Sequence, residues 1–96
     1  MKERAMEIHV FGKQNCGKCL STKHKVQHFI EKLGLDATVS MKFIDMDTVE
    51  GMAEGAFCDV FEIPTTIIQD QGRDIVRWDG VVPDSLELKQ HFVGAA

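Results

Sequence analysis

The sequence has no long hydrophobic run, no large excess of charge of one sign and few cysteines, and each absence excludes a class of protein. No segment approaches the roughly 18 consecutive apolar residues that cross a bilayer, and the start of the chain lacks the apolar core of a secretory signal. A net charge of -4 gives no basic surface for nucleic acid. We therefore expect a cytoplasmic protein that binds neither membrane nor nucleic acid. One domain over residues 1–96 is expected, with a flexible N-terminus at 1–5.

The chain has only three cysteines, an odd number that argues against a disulfide framework. Cys16 and Cys19 stand two residues apart in the segment NCGKC. In a reducing compartment, closely spaced cysteines favour catalysis or metal binding over a structural disulfide. Three explanations remain open at this point: a pair that alternates between dithiol and disulfide, a metal site, or chance.

Hydrophobic periodicity predicts seven secondary-structure elements. Short, β-branched or alternating runs predict strands at 6–11, 40–47, 65–69 and 74–78, with Gly72 in a hairpin turn between the last pair. Apolar residues at three- and four-residue steps predict a helix that starts at the cysteine pair and ends at Gly34, and further helices at 49–61 and 83–93. In the second helix, the stripe expected to face the core is Met52, Ala53, Ala56, Phe57 and Val60.

The element order is therefore βαβαββα, an α/β chain. A right-handed βαβ crossover followed by an antiparallel hairpin makes a four-stranded mixed sheet flanked by helices. The cysteine pair lies at the junction of the first strand and the first helix. This order, with C-x-x-C after the first strand, resembles the thioredoxin and glutaredoxin superfamily over residues 7–92, and the resemblance implies a thioredoxin fold.

The positions of the two cysteines predict different chemistry for each. With Cys16 at the first turn and Cys19 one turn on, their Cβ atoms are about 5 to 6 Å apart, close to the spacing that a disulfide needs. The helix N-terminus, with Lys13 and Lys18 nearby, should hold the pKa of Cys16 below the ~8.5 of a free cysteine. Cys19 should face the core as a protonated thiol. Cys16 is thus the expected nucleophile and Cys19 the expected resolving thiol.

The segment EIPTTII resembles the thioredoxin form of a loop that faces the cysteine pair. The resemblance implies a cis peptide bond before Pro64, and a substrate groove formed by Ile63, Pro64 and Thr65, in which the backbone of Ile63 pairs with substrate. Lys13 matches the lysine that meets a glutathione carboxylate in glutaredoxins. A solvated loop charge is the alternative interpretation of Lys13.

Other features match or depart from subgroups of the superfamily. The segment WDGVVPD resembles the closing segment of the glutaredoxin-like redoxins that supply electrons to ribonucleotide reductase. Val10 stands where thioredoxins have a buried acid, and Asn15 stands where an aromatic residue usually precedes the first cysteine. Trp78 is interpreted as packing at a sheet edge, with substrate docking as the alternative. Cys58 is interpreted as a partly buried small residue, with a regulatory or intermolecular disulfide as the alternative.

The function expected is reduction of protein or small-molecule disulfides, as a protein-disulfide reductase or glutaredoxin-like electron carrier. It implies no cofactor, a disulfide-containing protein substrate, a reductase or glutathione as electron source, and a monomer. The alternative is a metal or iron–sulfur cluster binding module that uses the same cysteines. His24 and His28 do not complete a zinc site, because about 18 Å of helical rise separates Cys16 from His28. No metal site is therefore expected.

Overall fold

The computed structural model describes residues 6–93, so the predicted flexible segment 1–5 lies outside the described residues. No helix in the described part of the chain has the length and apolar character that crossing a membrane requires. The predicted order βαβαββα is confirmed. The elements are β1 (Met6–Gly12), α1 (Gly17–Lys32), β2 (Val39–Asp45), α2 (Val49–Phe57), β3 (Thr65–Asp70), β4 (Arg73–Asp79) and α3 (Ser85–Val93).

The four strands form one mixed sheet in the order β2-β1-β3-β4. β1 runs parallel to β2 and antiparallel to β3, and β4 completes an antiparallel hairpin with β3. The hairpin turns through Gln71 and Gly72, which have positive φ angles of 53° and 82°. Two consecutive left-handed residues suit the twist of a tight hairpin. The predicted thioredoxin fold is thereby confirmed, with β1 at the centre of the sheet.

Helices cover both faces of the sheet, each over its own apolar cluster. Ile8 and Val10 of β1 point to the face covered by α1 and α3. Phe11 points to the opposite face, where it packs with Ile44, Val60 and Ile67 near α2. The residues that α1 and α3 bury on the first face are Cys19, Thr22, Val26, Ile30, Leu88 and Phe92.

The prediction for α2 was wrong in its length and in its orientation. The helix ends at Phe57, and its buried residues are Gly51 and Gly55. Four members of the predicted core stripe are exposed instead, and Val60 is buried beyond the helix end; the exposed residues are Met52, Ala53, Ala56 and Phe57. The cause is backbone packing, since a Cβ on Gly51 would overlap the carbonyl oxygen of Asp45 at the end of β2. Apolar periodicity locates a stripe but does not show which way it faces.

The last helix also starts later than predicted. Asp84 caps α3, because one of its carboxylate oxygens accepts the backbone N–H groups of Leu86 at 3.1 Å and Glu87 at 3.2 Å. Pro83 is buried just before this cap and is not part of the helix. Of the apolar residues of this helix, Leu88 and Phe92 are buried, whereas Leu86 is exposed.

Two buried threonines allow a matched test of how hydrogen bonding of a buried hydroxyl affects stability. The Thr22 hydroxyl donates to the carbonyl oxygen of Lys18 at 2.8 Å, whereas the Thr66 hydroxyl has no partner within residues 6–93. A buried hydroxyl without a hydrogen bond is unfavourable, so Thr66→Val should raise the free energy of unfolding by about 1 kcal/mol. Thr22→Val should lower it by about 1 kcal/mol, because it removes a satisfied hydrogen bond from the core. Urea denaturation measures both, and an equal loss in the two variants would contradict the assignment.

Candidate functional site

The cysteine pair closes the N-terminus of α1. Cys16 is the N-cap residue, with extended backbone angles of φ −109° and ψ 114°, and its Sγ accepts the backbone N–H of Cys19 at 3.2 Å. The two sulfurs are joined as a disulfide, and the Cα atoms lie 5.2 Å apart. The predicted capping position of Cys16 is confirmed. The i,i+3 spacing at a helix start therefore brings the two sulfurs together.

The two cysteines differ in exposure. Cys16 is half-buried, while Cys19 is fully buried beneath it. The first turn of α1 holds no acidic residue, so the positive end of the helix is left free to stabilise a negative charge on Cys16. A partly exposed sulfur at a helix N-terminus is the setting of a reactive cysteine, and a buried thiol is the setting of an inert one. The thiolate character expected of Cys16 stays a prediction.

Gly12 makes room for the buried cysteine. A Cβ on Gly12, the last residue of β1, would lie 2.6 Å from Cys19 Cβ and 2.8 Å from its Sγ. The first turn of α1 thus rests directly on the end of β1. In the sequence, Gly12 is simply the residue that follows the predicted first strand. The sequence shows a glycine shortly before the first cysteine, but only the packing shows that this glycine leaves room for Cys19.

The loop before β3 stands beside the pair. The peptide bond between Ile63 and Pro64 is cis, as the resemblance implied. Thr65 is paired with Phe11, so Pro64, the residue before it, lies at the Gly12 end of β1, and Gly12 is the residue on which Cys19 packs. Pro64 is buried and Ile63 is half-buried. The structure therefore brings the proline segment to the end of β1 that carries the cysteines.

The shape of this loop is held from two sides. The fully buried Thr65 hydroxyl donates to the carbonyl oxygen of Glu62 at 2.6 Å. Gly80, with a positive φ of 74°, donates its N–H to the carbonyl oxygen of Pro64 at 2.8 Å. A Cβ on Gly80 would lie 2.6 Å from Glu62 Oε1, so a larger residue would displace that side chain. The substrate-binding roles of Ile63, Pro64 and Thr65 stay predictions, and a contribution from Thr65 would come through its backbone or the loop that it holds.

Lys13 lies in the turn between β1 and the cysteines. Its carbonyl oxygen accepts the N–H of Cys16 at 3.3 Å, and its Nζ is 3.4 Å from Asp47 Oδ1. The N–H of Met46, next to Asp47, donates to the carbonyl oxygen of Gly12 at 2.8 Å. The segment that leads into α2 is thus part of the surroundings of the pair, which the sequence did not indicate. The glutathione-binding role of Lys13 stays a prediction.

The remaining sequence candidates lie apart from the pair. Within residues 6–93, no group of three or more His, Cys, Asp or Glu side chains is placed to hold a metal ion, and His24 and His28 are exposed on α1. Cys58 is half-buried as the C-cap of α2, as interpreted from the sequence. Burial, followed by the charges of Glu54 and Asp74, raises the pKa of the Cys58 thiol. Its regulatory disulfide stays a hypothesis.

Trp78 packs at the sheet edge. It lies on β4, the edge strand, against the cluster that α1 and α3 cover. Its Nε1 donates to Glu87 Oε1 at 2.9 Å, and its ring meets His91 edge-on with centroids 5.9 Å apart. These contacts support the packing interpretation and tie the edge strand to α3.

Comparison with known proteins places the geometry in context. Residues 6–92 match a family model described as a thioredoxin domain. Among solved structures, thioredoxin O2 from Arabidopsis thaliana is similar with a TM-score of 0.75 at 18% identity, covering 95% of this chain and 75% of that one. Fasciola hepatica thioredoxin gives 0.72 at 20% identity, covering 98% and 84%. A mutant thioredoxin from Halobacterium salinarum gives 0.74 at 23% identity, covering 96% and 75%. No curated protein sequence matches.

Proposed function

The chain belongs to the thioredoxin-domain family, and on that premise we propose that it is a thiol-disulfide oxidoreductase that reduces protein or small-molecule disulfides. The family match confirms the superfamily inferred from the sequence. The observation that carries the proposal is the position of Cys16 and Cys19: a half-buried cysteine at a helix N-terminus, joined by a disulfide to a fully buried one. A reducing cytoplasmic setting fits such a protein, because the dithiol form is the one that acts.

The reaction follows from the unequal exposure of the two sulfurs. In the dithiol form, the Cys16 thiolate attacks one sulfur of a substrate disulfide, whose second sulfur leaves as a thiolate and takes up a proton. Cys19 then loses its proton and attacks Cys16 Sγ, which releases the first substrate sulfur as a thiol. The substrate gains two electrons, and the protein is left with the Cys16–Cys19 disulfide. A reductase or glutathione must return two electrons before the next cycle.

The cis-proline loop supports the binding step. Ile63 precedes a buried proline at the end of the sheet, beside the cysteine pair, where an extended substrate segment would find backbone groups to pair with. Lys13 is also at this end of the sheet, and its ion pair with Asp47 is largely solvent-accessible. An exposed pair of this kind contributes little to stability, so Lys13 can exchange Asp47 for another carboxylate such as that of glutathione.

Insulin reduction tests the proposal. With dithiothreitol as donor, the protein should accelerate the precipitation of reduced insulin chains catalytically, over many turnovers per molecule. Metal content is measured on the same anaerobically purified preparation, because the rival function is a metal or iron–sulfur module built on the same cysteines. No turnover together with stoichiometric metal would favour the rival. Replacing dithiothreitol by thioredoxin reductase with NADPH, or by glutathione with glutathione reductase, identifies the electron source.

A further inference from the structure

The α2 helix presents its apolar side to solvent. Gly51 and Gly55 form its buried side, and no larger residue fits at Gly51 against the carbonyl of Asp45. The opposite side carries apolar residues at three- and four-residue steps, which makes them neighbours along one stripe. We call this stripe the α2 face; its residues are Val49, Met52, Ala53, Ala56 and Phe57.

The α2 face, together with Phe61 just beyond it, carries large apolar side chains that are mostly exposed. Phe57 is 89% exposed, Val49 75% and Met52 51%, and Phe61, in the loop that follows the helix, is 87% exposed. A phenylalanine buries about 150 to 250 Å² when covered, so Phe57 and Phe61 alone offer roughly 300 Å² of apolar surface. Exposed apolar patches of a few hundred Å² on soluble proteins commonly mark interaction sites.

The N-terminal end of the α2 face adjoins the redox site, and the chain that leaves its C-terminal end leads back to that site. At its N-terminal end, Asp47 pairs with Lys13, and the N–H of Met46 bonds to Gly12, over which Cys19 lies. At its C-terminal end, the chain runs through Phe61 to the cis bond before Pro64. A protein that delivers a disulfide to Cys16 can therefore contact this face at the same time.

The segment that carries the face is acidic. Bases reach it only from other parts of the chain: Lys13 pairs with Asp47, Lys42 pairs with Glu54, and Arg77 donates to the carbonyl oxygens of Cys58 and Asp59. Residues 45–64 contain six acids and no Lys, Arg or His, while the rest of the chain holds all eleven Lys and Arg against nine acids. Within residues 6–93, no basic side chain forms an ion pair with Glu50, Asp59 or Glu62, all of which are exposed. The six acids are Asp45, Asp47, Glu50, Glu54, Asp59 and Glu62.

We propose that the α2 face docks the protein substrate, through a segment in which large apolar side chains are flanked by Lys or Arg. The inference rests on the proposed function, because the docked protein is the one whose disulfide Cys16 attacks. Apolar contact supplies the affinity and the basic flanks complement the acids. A second copy of this chain fits poorly, since joining two α2 faces would bring two acidic segments together. An anionic membrane is disfavoured for the same reason.

Two disulfide-bonded peptide substrates of equal length test the docking. One carries an amphipathic Leu/Lys helix beside its disulfide, and the other carries the matching Leu/Glu helix; a small aromatic disulfide reports the cysteine chemistry alone. For the wild type, kcat/KM should be at least about tenfold higher with the Leu/Lys peptide. Combining Met52→Ser with Phe57→Ser should lower kcat/KM for the Leu/Lys peptide by about tenfold, because it removes the apolar contact, and leave reduction of the small disulfide unchanged. Equal kcat/KM for the two peptides would overturn the proposal.

Two further variants complete the test. One measures the contribution of charge, and the other is a control for the location of the docking surface. Combining Glu50→Gln with Asp59→Asn should lower kcat/KM for the Leu/Lys peptide in a salt-dependent way, since exposed charge pairs are screened by ions. Leu86→Ser is the matched control, because Leu86 is a similarly exposed residue on α3, across the sheet from α2. An equal loss in Leu86→Ser would overturn the assignment to α2.

The remaining outcomes distinguish docking from the redox function itself. Sedimentation should show a monomer; a wild-type dimer that the Met52 and Phe57 replacements dissolve would make the face a self-association surface and overturn the proposal. A wild type that fails to reduce even the small disulfide would refute the proposed function. Docking is then decided by fluorescence anisotropy of the labelled Leu/Lys peptide, which should bind the wild type more tightly than the Met52 and Phe57 double variant.

Discussion

Cys16→Ser is expected to abolish disulfide reduction, because it removes the sulfur that starts the exchange. Cys19→Ser should instead retain the first attack and accumulate a mixed disulfide between Cys16 and the substrate, since the buried sulfur that releases the product is gone. Turnover with insulin measures the first effect. Mass spectrometry of the protein after incubation with a disulfide substrate detects the trapped adduct of the second.

Cys58→Ser is the control for both variants. Its sulfur lies at the far end of α2 and its pKa is raised by burial, so its removal should leave turnover close to the wild-type value. Two results would refute the assignment of roles. One is equal activity of the wild type and Cys16→Ser, and the other is a mixed disulfide that forms on Cys19 when Cys16 is intact.

Gly12→Ala should be the most damaging single methyl that can be added to the site. The new Cβ would lie 2.6 Å from Cys19 Cβ and 3.3 Å from the Phe43 ring, so the first turn of α1 must move away from β1. Overpacking of this kind costs about 1 to 3 kcal/mol of stability. Since misplacing a reacting group by about 1 Å can reduce the rate roughly 100-fold, we expect a loss of that order in kcat/KM.

Gly17→Ala is the matched control, because it adds the same methyl between the two cysteines where no atom lies within 4 Å. Its unfolding temperature should equal or exceed that of the wild type, because alanine has a higher helix propensity than glycine. Insulin turnover and thermal unfolding are measured for both variants. A Gly12→Ala protein with wild-type activity and unfolding temperature would show that α1 does not rest on β1 as described.

Much of the fold could be predicted because its signals are local. The alternation around Ile8 and Val10 and the stripe through Val26 and Ile30 are patterns that a chain shows before it folds, and each reflects burial on one face of an element. Cys16 and Cys19 are close in the structure because they are close in the chain. Their different exposures also followed from helix geometry alone, since one caps the helix and the other begins its buried stripe.

α2 shows where local reasoning fails. Its apolar stripe was correctly located, yet the helix packs through Gly51, because the end of β2 approaches too closely for any side chain there. A pattern of hydrophobic residues shows which side of a helix is apolar, but it does not show whether that side packs against the protein or faces solvent. The contacts of Asp47 with Lys13 and of Gly12 with Cys19 join residues whose pairing no periodicity encodes.

Neighbours along the chain define the order of elements, the position of the cysteines at a strand-to-helix junction and the chemistry open to them, so these features could be inferred without a structure. Tertiary structure alone decided that Pro64 comes to the end of β1, that Gly12 supports Cys19 and that Phe57 faces water. Those features depend on how closely the backbones of segments distant in the sequence approach one another. Such segments come into contact only when the sheet has formed, so no local pattern in the sequence indicates where they would clash.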